Sequence, residues 1–162
     1  MPPEHQESGP LRGLLLSKTD RAAIAQAAEA AHPREGCGLL VGRREAGGVA
    51  RVTALHPAEN LLAETHCDRF ELDPAARLRV QRDCRERGEL VLGHWHSHPS
   101  GVAAPSATDA ARAFEGGLVW LIQATDPATG RAGALDAVWS TGRCGPVERA
   151  FQPMALTFFP DG

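Results

Sequence analysis

The sequence predicts an α/β domain of the α+β type, a mixed and mostly antiparallel sheet flanked by two main helices. Three observations point there. The chain has 162 residues, enough for one domain that buries roughly 70% of its unfolded surface. Only two stretches combine a cap with sustained helical spacing, one after Ser17 and one after Asp73. Between and beyond them lie short apolar runs bounded by glycine, proline and aspartate, which read as strands. The expected organisation is a lead-in over residues 1–13, a domain over 14–150 and a C-terminal tail over 151–162.

Each element follows from local chemistry. Leu14-Leu15-Leu16 is a short apolar run and reads as the first strand. Ser17 caps the helix behind it, with Asp20 in a capping-box position. Ile24, Ala27, Ala28 and Ala31 share one face of that helix, and Pro33 ends it. Residues 35–42, Glu-Gly-Cys-Gly-Leu-Leu-Val-Gly, are apolar on both faces and read as a central strand. Gly47-Gly48 turns the chain into an alternating return strand, Val49 to Leu55. Residues 56–72 are irregular, with Asn60 and Phe70 as anchors. Asp73 caps the second helix, with Pro74 at its first position, and Gly88 closes it.

Val91 to His98 is the next strand, stopped by Pro99. A polar loop leads to Ser106, the N-cap of a short helix to about Phe114. Gly117 to Ala124 reads as a buried strand. Pro127 and Gly130 turn it into a hairpin partner, Gly133 to Ser140, and Val147 to Leu156 reads as an edge strand. Trp95, Trp120 and Trp139 are core candidates, and Cys37 reads as a small buried hydrophobe.

Composition excludes several classes. With 43% hydrophobic and 23% charged residues the chain is neither disordered nor fibrous. The formal net charge is −3, so no broad basic footprint for nucleic acid is expected. Residues 82–87 alternate in sign and read as a solvated helix face. No run approaches the length needed to cross a membrane, and Met1 to Pro10 lacks the pattern of a signal or transit peptide. Four cysteines without a Cys-x-x-Cys pair argue against zinc ribbons and thioredoxin-type sites. Reduced thiols and a cytoplasmic location are the expectation.

The chemistry gathers at His96, His98, Ser106 and Asp109. Side chains at i and i+2 of a strand share a face, so His96 and His98 point the same way. That spacing alone suits either two surface histidines or a metal site. Asp109, past a loop and a turn into the next helix, can return to supply an oxygen. Two histidines and one carboxylate with an open position is a catalytic zinc pattern. His94 shares the face, but the trio would span about 13 Å of strand, so His94 reads either as structural or as a support for the ligands.

This stretch resembles the JAMM motif of the MPN-domain metallopeptidases: Glu, then His-x-His-Pro, then Ser-x-x-Asp. Here it reads Glu35, His96-Ser97-His98-Pro99, Ser106-Ala107-Thr108-Asp109, and the likeness runs from about Leu14 to about Ser140. The resemblance implies the MPN/JAMM, cytidine deaminase-like fold. It implies one Zn²⁺ on His96, His98 and Asp109, Glu35 as general base and then acid, and Ser106 as an oxyanion donor. Only the resemblance selects Glu35 from twelve glutamates.

The activity it implies is hydrolysis of the amide bond after the C-terminal Gly-Gly of a ubiquitin-like protein. The compact size is similar to prokaryotic members that process sulfur-carrier proteins. Deubiquitinase-like action on ubiquitin itself and a non-catalytic scaffold are the alternatives, and homodimerisation stays open. A nucleobase deaminase would want His-x-Glu and Pro-Cys-x-x-Cys, and neither occurs.

Overall fold

A computed structural model describes residues 9–67 and 69–161. The elements run in chain order as β1 (Gly13–Ser17), α1 (Lys18–Ala31), β2 (Cys37–Glu45), β3 (Val49–Ala58), α2 (Pro74–Arg85), β4 (Leu90–His98), α3 (Ala107–Arg112), β5 (Val119–Thr125), β6 (Ala132–Ser140), α4 (Val147–Ala150), β7 (Phe151–Pro153) and β8 (Ala155–Phe159). The strands form one sheet in the order β7-β6-β5-β4-β2-β3-β1-β8. Four neighbouring pairs are antiparallel, while β1–β3, β1–β8 and β4–β5 are parallel. The expected fold class is the observed one. No helix among the described residues is long and apolar enough to cross a membrane.

Two apolar layers sandwich the sheet. β5, buried along its length, alternates between them. Val119 and Leu121 join the layer that holds Ile24 and Ala28 of α1, while Trp120 and Ile122 join the one with Ala110, Ala113 and Phe151. The helical face of α1 is narrower than its sequence suggests. Ile24 and Ala28 are buried, but Ala27 and Ala31 line an open groove of about 840 Å³ beside Glu35.

The register of β4 decides which residues face which layer. Leu40 pairs with Gly93 and Val41 with Val91, so Leu92 is a bulge residue. The extra residue resets the alternation. Leu92 and Trp95 therefore both enter the α1 layer, and His94 and His96 turn to the opposite face against Phe70 and Trp120. Gly93 is required at the bulge, because a Cβ there would collide with the Val119 carbonyl.

The C-terminal segment departs from expectation. The edge strand expected over Val147 to Leu156 is divided, and residues 151–159 are not a tail. α4 comes first, β7 then pairs with β6, and after Met154 β8 pairs with β1, so the two strands occupy opposite edges of the sheet. Phe151 is buried. Phe158 and Phe159 lie beneath the guanidinium groups of Arg21 and Arg51. The lead-in is likewise tied down where it is described. Leu11 is buried, and the N–H groups of Arg12 and Gly13 donate to the Gly48 carbonyl. Residues 1–8 lie outside the described residues.

Candidate metal centre

The site forms where the C-terminal end of β4 meets the start of β2. The strands are antiparallel, with Cys37 opposite His96 and Gly38 opposite Trp95. Trp95 explains the glycine, since a Cβ at position 38 would strike its indole. Glu35 sits just before β2, locked to β4 by paired bonds. The Gly36 N–H donates to Ser97 Oγ at 2.8 Å, and the Ser97 N–H to the Gly36 carbonyl at 3.0 Å. Asn60 holds the other side, donating from Nδ2 to the Glu35 carbonyl at 2.8 Å and the Arg69 carbonyl at 3.3 Å. Its Oδ1 accepts from the N–H groups of Leu62 and Glu71. The irregular segment after β3 is thereby fastened to the strand that carries Glu35.

Ser106 caps α3 in a complete capping box. Its Oγ accepts from the Asp109 N–H at 3.0 Å, and its N–H donates to Asp109 Oδ2 at 3.0 Å. A capped first turn gives the carboxylate a fixed aim. Asp109 Oδ2 lies 3.3 Å from His96 Nε2 and 3.0 Å from His98 Nε2, and the two nitrogens are 3.0 Å apart. Glu35 completes the group, with donor atoms of Glu35, His96 and His98 all within 4.8 Å of one another. All four residues are buried.

These separations fit a metal ion. Donors about 3 Å apart suit one cation held at roughly 2.0–2.1 Å by nitrogen and oxygen. The orientation fits as well, because His98 Nδ1 lies 2.9 Å from the Val102 carbonyl. Donation there leaves the Nε2 lone pair turned inward. Electrostatics agree. Burial opposes ionisation of Asp109, but hydrogen bonds from His96, His98 and the Ser106 N–H hold its carboxyl well below the usual carboxylate range. Burial also disfavours protonation of His96 and lowers its pKa. At His98 burial is outweighed by the Asp109 carboxylate, which raises it.

The structure thus brings Glu35, His96, His98, Ser106 and Asp109 together and leaves His94 apart. His94 packs edge-on to Trp120, ring centroids 4.5 Å apart, on the same face but outside the donor cluster. Sequence reasoning missed the second role of Phe70, whose ring stacks on His96 at 4.3 Å and 19°. It also missed the Val102 carbonyl. Neither contact leaves a local pattern that a sequence could show.

This architecture and donor set define the class first expected, a domain of the JAB type. Among curated proteins the chain is similar to a desampylase of Haloferax volcanii, 36% identical over 122 residues, covering 70% of this chain and 85% of that protein. It is also similar to a probable TtuB-protein conjugate cleaving protease of Thermus thermophilus, 37% identical over 98 residues, 60% of this chain and 57% of that protein. A solution structure from Desulfitobacterium hafniense superposes with a TM-score of 0.75 at 28% identity, covering 91% of this chain and 94% of that one. The chain belongs to the Prok-JAB family, described as prokaryotic homologs of the JAB domain, which it matches over residues 17–139.

Proposed function

We propose that the chain is a zinc-dependent isopeptidase hydrolysing the amide bond after the C-terminal Gly-Gly of a ubiquitin-like protein, of the sulfur-carrier type. The observation that carries this reading is the convergence of His96 Nε2, His98 Nε2 and Asp109 Oδ2 at 3.0–3.3 Å, with Glu35 beside them. When bound there, zinc supplies a water acidic enough to attack an amide at neutral pH. The Glu35 carboxylate takes the attacking water's proton and returns it to the leaving amine. The Ser106 hydroxyl, already accepting from Asp109 N–H, has its own proton to give to the developing oxyanion. His98 and Asp109 are held in place by the Val102 carbonyl and the capping box.

The relatives support a reading as a conjugate-cleaving protease, since one is named a desampylase and the other a probable TtuB-protein conjugate cleaving protease. The groove beside Glu35 suits an extended tail of small residues. It is lined by Ala27, Ala31 and Leu61 and runs along Leu55 to Ala58 of β3. β1 pairs with β3 only from Val49 to Arg51. The later part of β3 therefore offers an edge to which a tail could add as a strand. A scaffold without activity is disfavoured, because every donor and the glutamate are assembled.

The test is elemental analysis and cleavage on one preparation. A sulfur-carrier fusion bearing residues after its Gly-Gly is incubated with the protein, with and without chelator. One zinc per chain and chelator-sensitive cleavage after Gly-Gly are expected. Zinc without cleavage of this fusion, but with cleavage of ubiquitin conjugates, would move the assignment to ubiquitin. Absence of zinc after reconstitution would overturn the mechanism.

A further inference from the structure

Trp95 stands next to His96 in sequence but turns its ring to the opposite face, into the α1 layer, where it lines the groove beside Glu35. Two glycines of β2 and its approach fix how the ring lies. A Cβ at Gly36 would stand 3.2 Å from Cη2, and one at Gly38 would stand 2.4 Å from Nε1. The indole is therefore laid along the start of β2, with its benzene end at the residue after Glu35 and its nitrogen end two residues further on. Ala31 of α1 closes on the benzene end, its Cβ 3.0 Å from the same Cβ position at Gly36.

Trp95 is 5% exposed, yet its Nε1 has no hydrogen-bond acceptor among the described residues and, unlike Trp120 Nε1, is not sealed from solvent. An indole N–H can only donate, so it offers one bond to an acceptor lying in the groove. Gly36 to Gly38 is two residues of extended chain, about 6.6 Å, and the ring therefore matches two extended residues of a bound tail. Asp20, Glu59 and Glu64 also line the groove, and an uncharged peptide backbone meets them without repulsion.

We propose that Trp95 is the residue that selects glycine at the end of the tail, an inference that rests on the isopeptidase reading. The last residue before the scissile bond lies over the benzene end of the ring, and Nε1 donates to the carbonyl two residues back. Glycine lets the backbone come this close. An alanine methyl there presses on the indole and lifts the chain from it, so the ring contact and the hydrogen bond are lost together.

The probes are two fusions of one sulfur-carrier protein, its carrier part ending in Gly-Gly or in Gly-Ala, cleaved by the wild-type chain and by Trp95→Phe. Wild type is expected to prefer Gly-Gly about 100-fold in kcat/KM. Trp95→Phe keeps an aromatic residue in the core and removes the donor. It is expected to lose about tenfold on Gly-Gly and little on Gly-Ala. Equal losses on both fusions, or no preference in wild type, would overturn the proposal. A second measurement needs neither turnover nor a fold-sensitive variant at Trp95. The Gly-Gly fusion is titrated into ¹⁵N-labelled Glu35→Gln protein, whose three tryptophans give indole resonances assigned by Trp→Phe variants. The Trp95 signal is expected to move saturably while that of Trp139 stays. Saturable shifts at backbone amides with the Trp95 indole unmoved would overturn the proposal and leave the isopeptidase reading standing. A Trp95 shift without cleavage by wild type would keep the groove contact and overturn that reading instead. No saturable change anywhere would overturn both.

Discussion

Asn60 Nδ2 donates to the carbonyl oxygen of Glu35 at 2.8 Å, across 25 residues of chain. All four hydrogen-bonding valences of this buried amide are used on backbone groups. Asn60→Ala would orphan two carbonyls and two N–H groups, at a cost of about 1–3 kcal/mol for each that stays dry. Urea unfolding is expected to show a loss of about 2–4 kcal/mol. Zinc content should be unchanged and kcat reduced, because Glu35 loses its anchor while the ligands keep theirs. An Asn60→Ala protein with wild-type kcat would show that the tether has no part in aiming Glu35.

Glu35→Gln keeps the shape and removes the basic oxygen. Zinc content is expected to stay at one per chain while kcat falls about 10²–10⁴-fold. Ser106→Ala should lower kcat more than it raises KM. It should also cost about 1 kcal/mol of stability through the lost cap, so melting temperature and kinetics need to be measured on the same samples. A change confined to KM would argue against the oxyanion role.

His96→Ala and Asp109→Ala each break the donor triangle. Neither variant should retain stoichiometric zinc, and neither should gain melting temperature when zinc is added, whereas the wild-type protein should. Normal zinc content in either variant would remove that residue from the ligand set.

Arg77 and Glu115 give a pH dependence with a definite sign. The Arg77 hydrogen bond holds the Glu115 carboxyl below its ordinary value. A lowered carboxylate pKa contributes stability above the unfolded pKa of about 4.3, and that contribution is lost as pH falls through the folded value. Glu115 is half exposed, so the effect is small, under about 1 kcal/mol. Glu115→Gln is expected to be slightly less stable than wild type at pH 7, with the difference closing as pH falls through the folded value. A difference that persists at the acid end would mean the charge is not its source.

The cysteines should separate by accessibility. Cys67 is exposed, while Cys37 and Cys84 are buried, and burial with the nearby Glu35 carboxylate pushes the Cys37 thiol up to about 12. Alkylation at pH 7.5 followed by peptide mapping is expected to find Cys67 modified and Cys37 intact until denaturant is added. Rapid labelling of Cys37 in the native state would contradict its packing against β3.

Much of this was legible from local pattern. Ser17, Asp73 and Ser106 cap the helices they were expected to cap, because a cap is chemistry within four residues. The His-x-His pair was legible because strand alternation is local, and Glu35 only through resemblance, since nothing beside it in sequence marks its role. What stayed hidden depends on distant segments meeting. The bulge at Leu92 decides which face His94 and His96 share, yet it arises from register against β2. Phe70 reaches His96 across a loop and a helix. Residues 151–159 looked like a tail because each piece is too short to announce itself, and their partners β6 and β1 lie at opposite ends of the sheet.

That last arrangement has a kinetic meaning. β8 runs beside β1 in register, Gly13 with Ala155 through Ser17 with Phe159, so a strand made early waits for one made much later. Closing a loop of about 140 residues adds entropy that local contacts do not repay until late. A nascent chain can fold the β2–β5 centre, with its histidines in place, well before this edge exists. Until residues 155–159 leave the ribosome, β1 has one bare flank and Phe158 and Phe159 have not yet covered it.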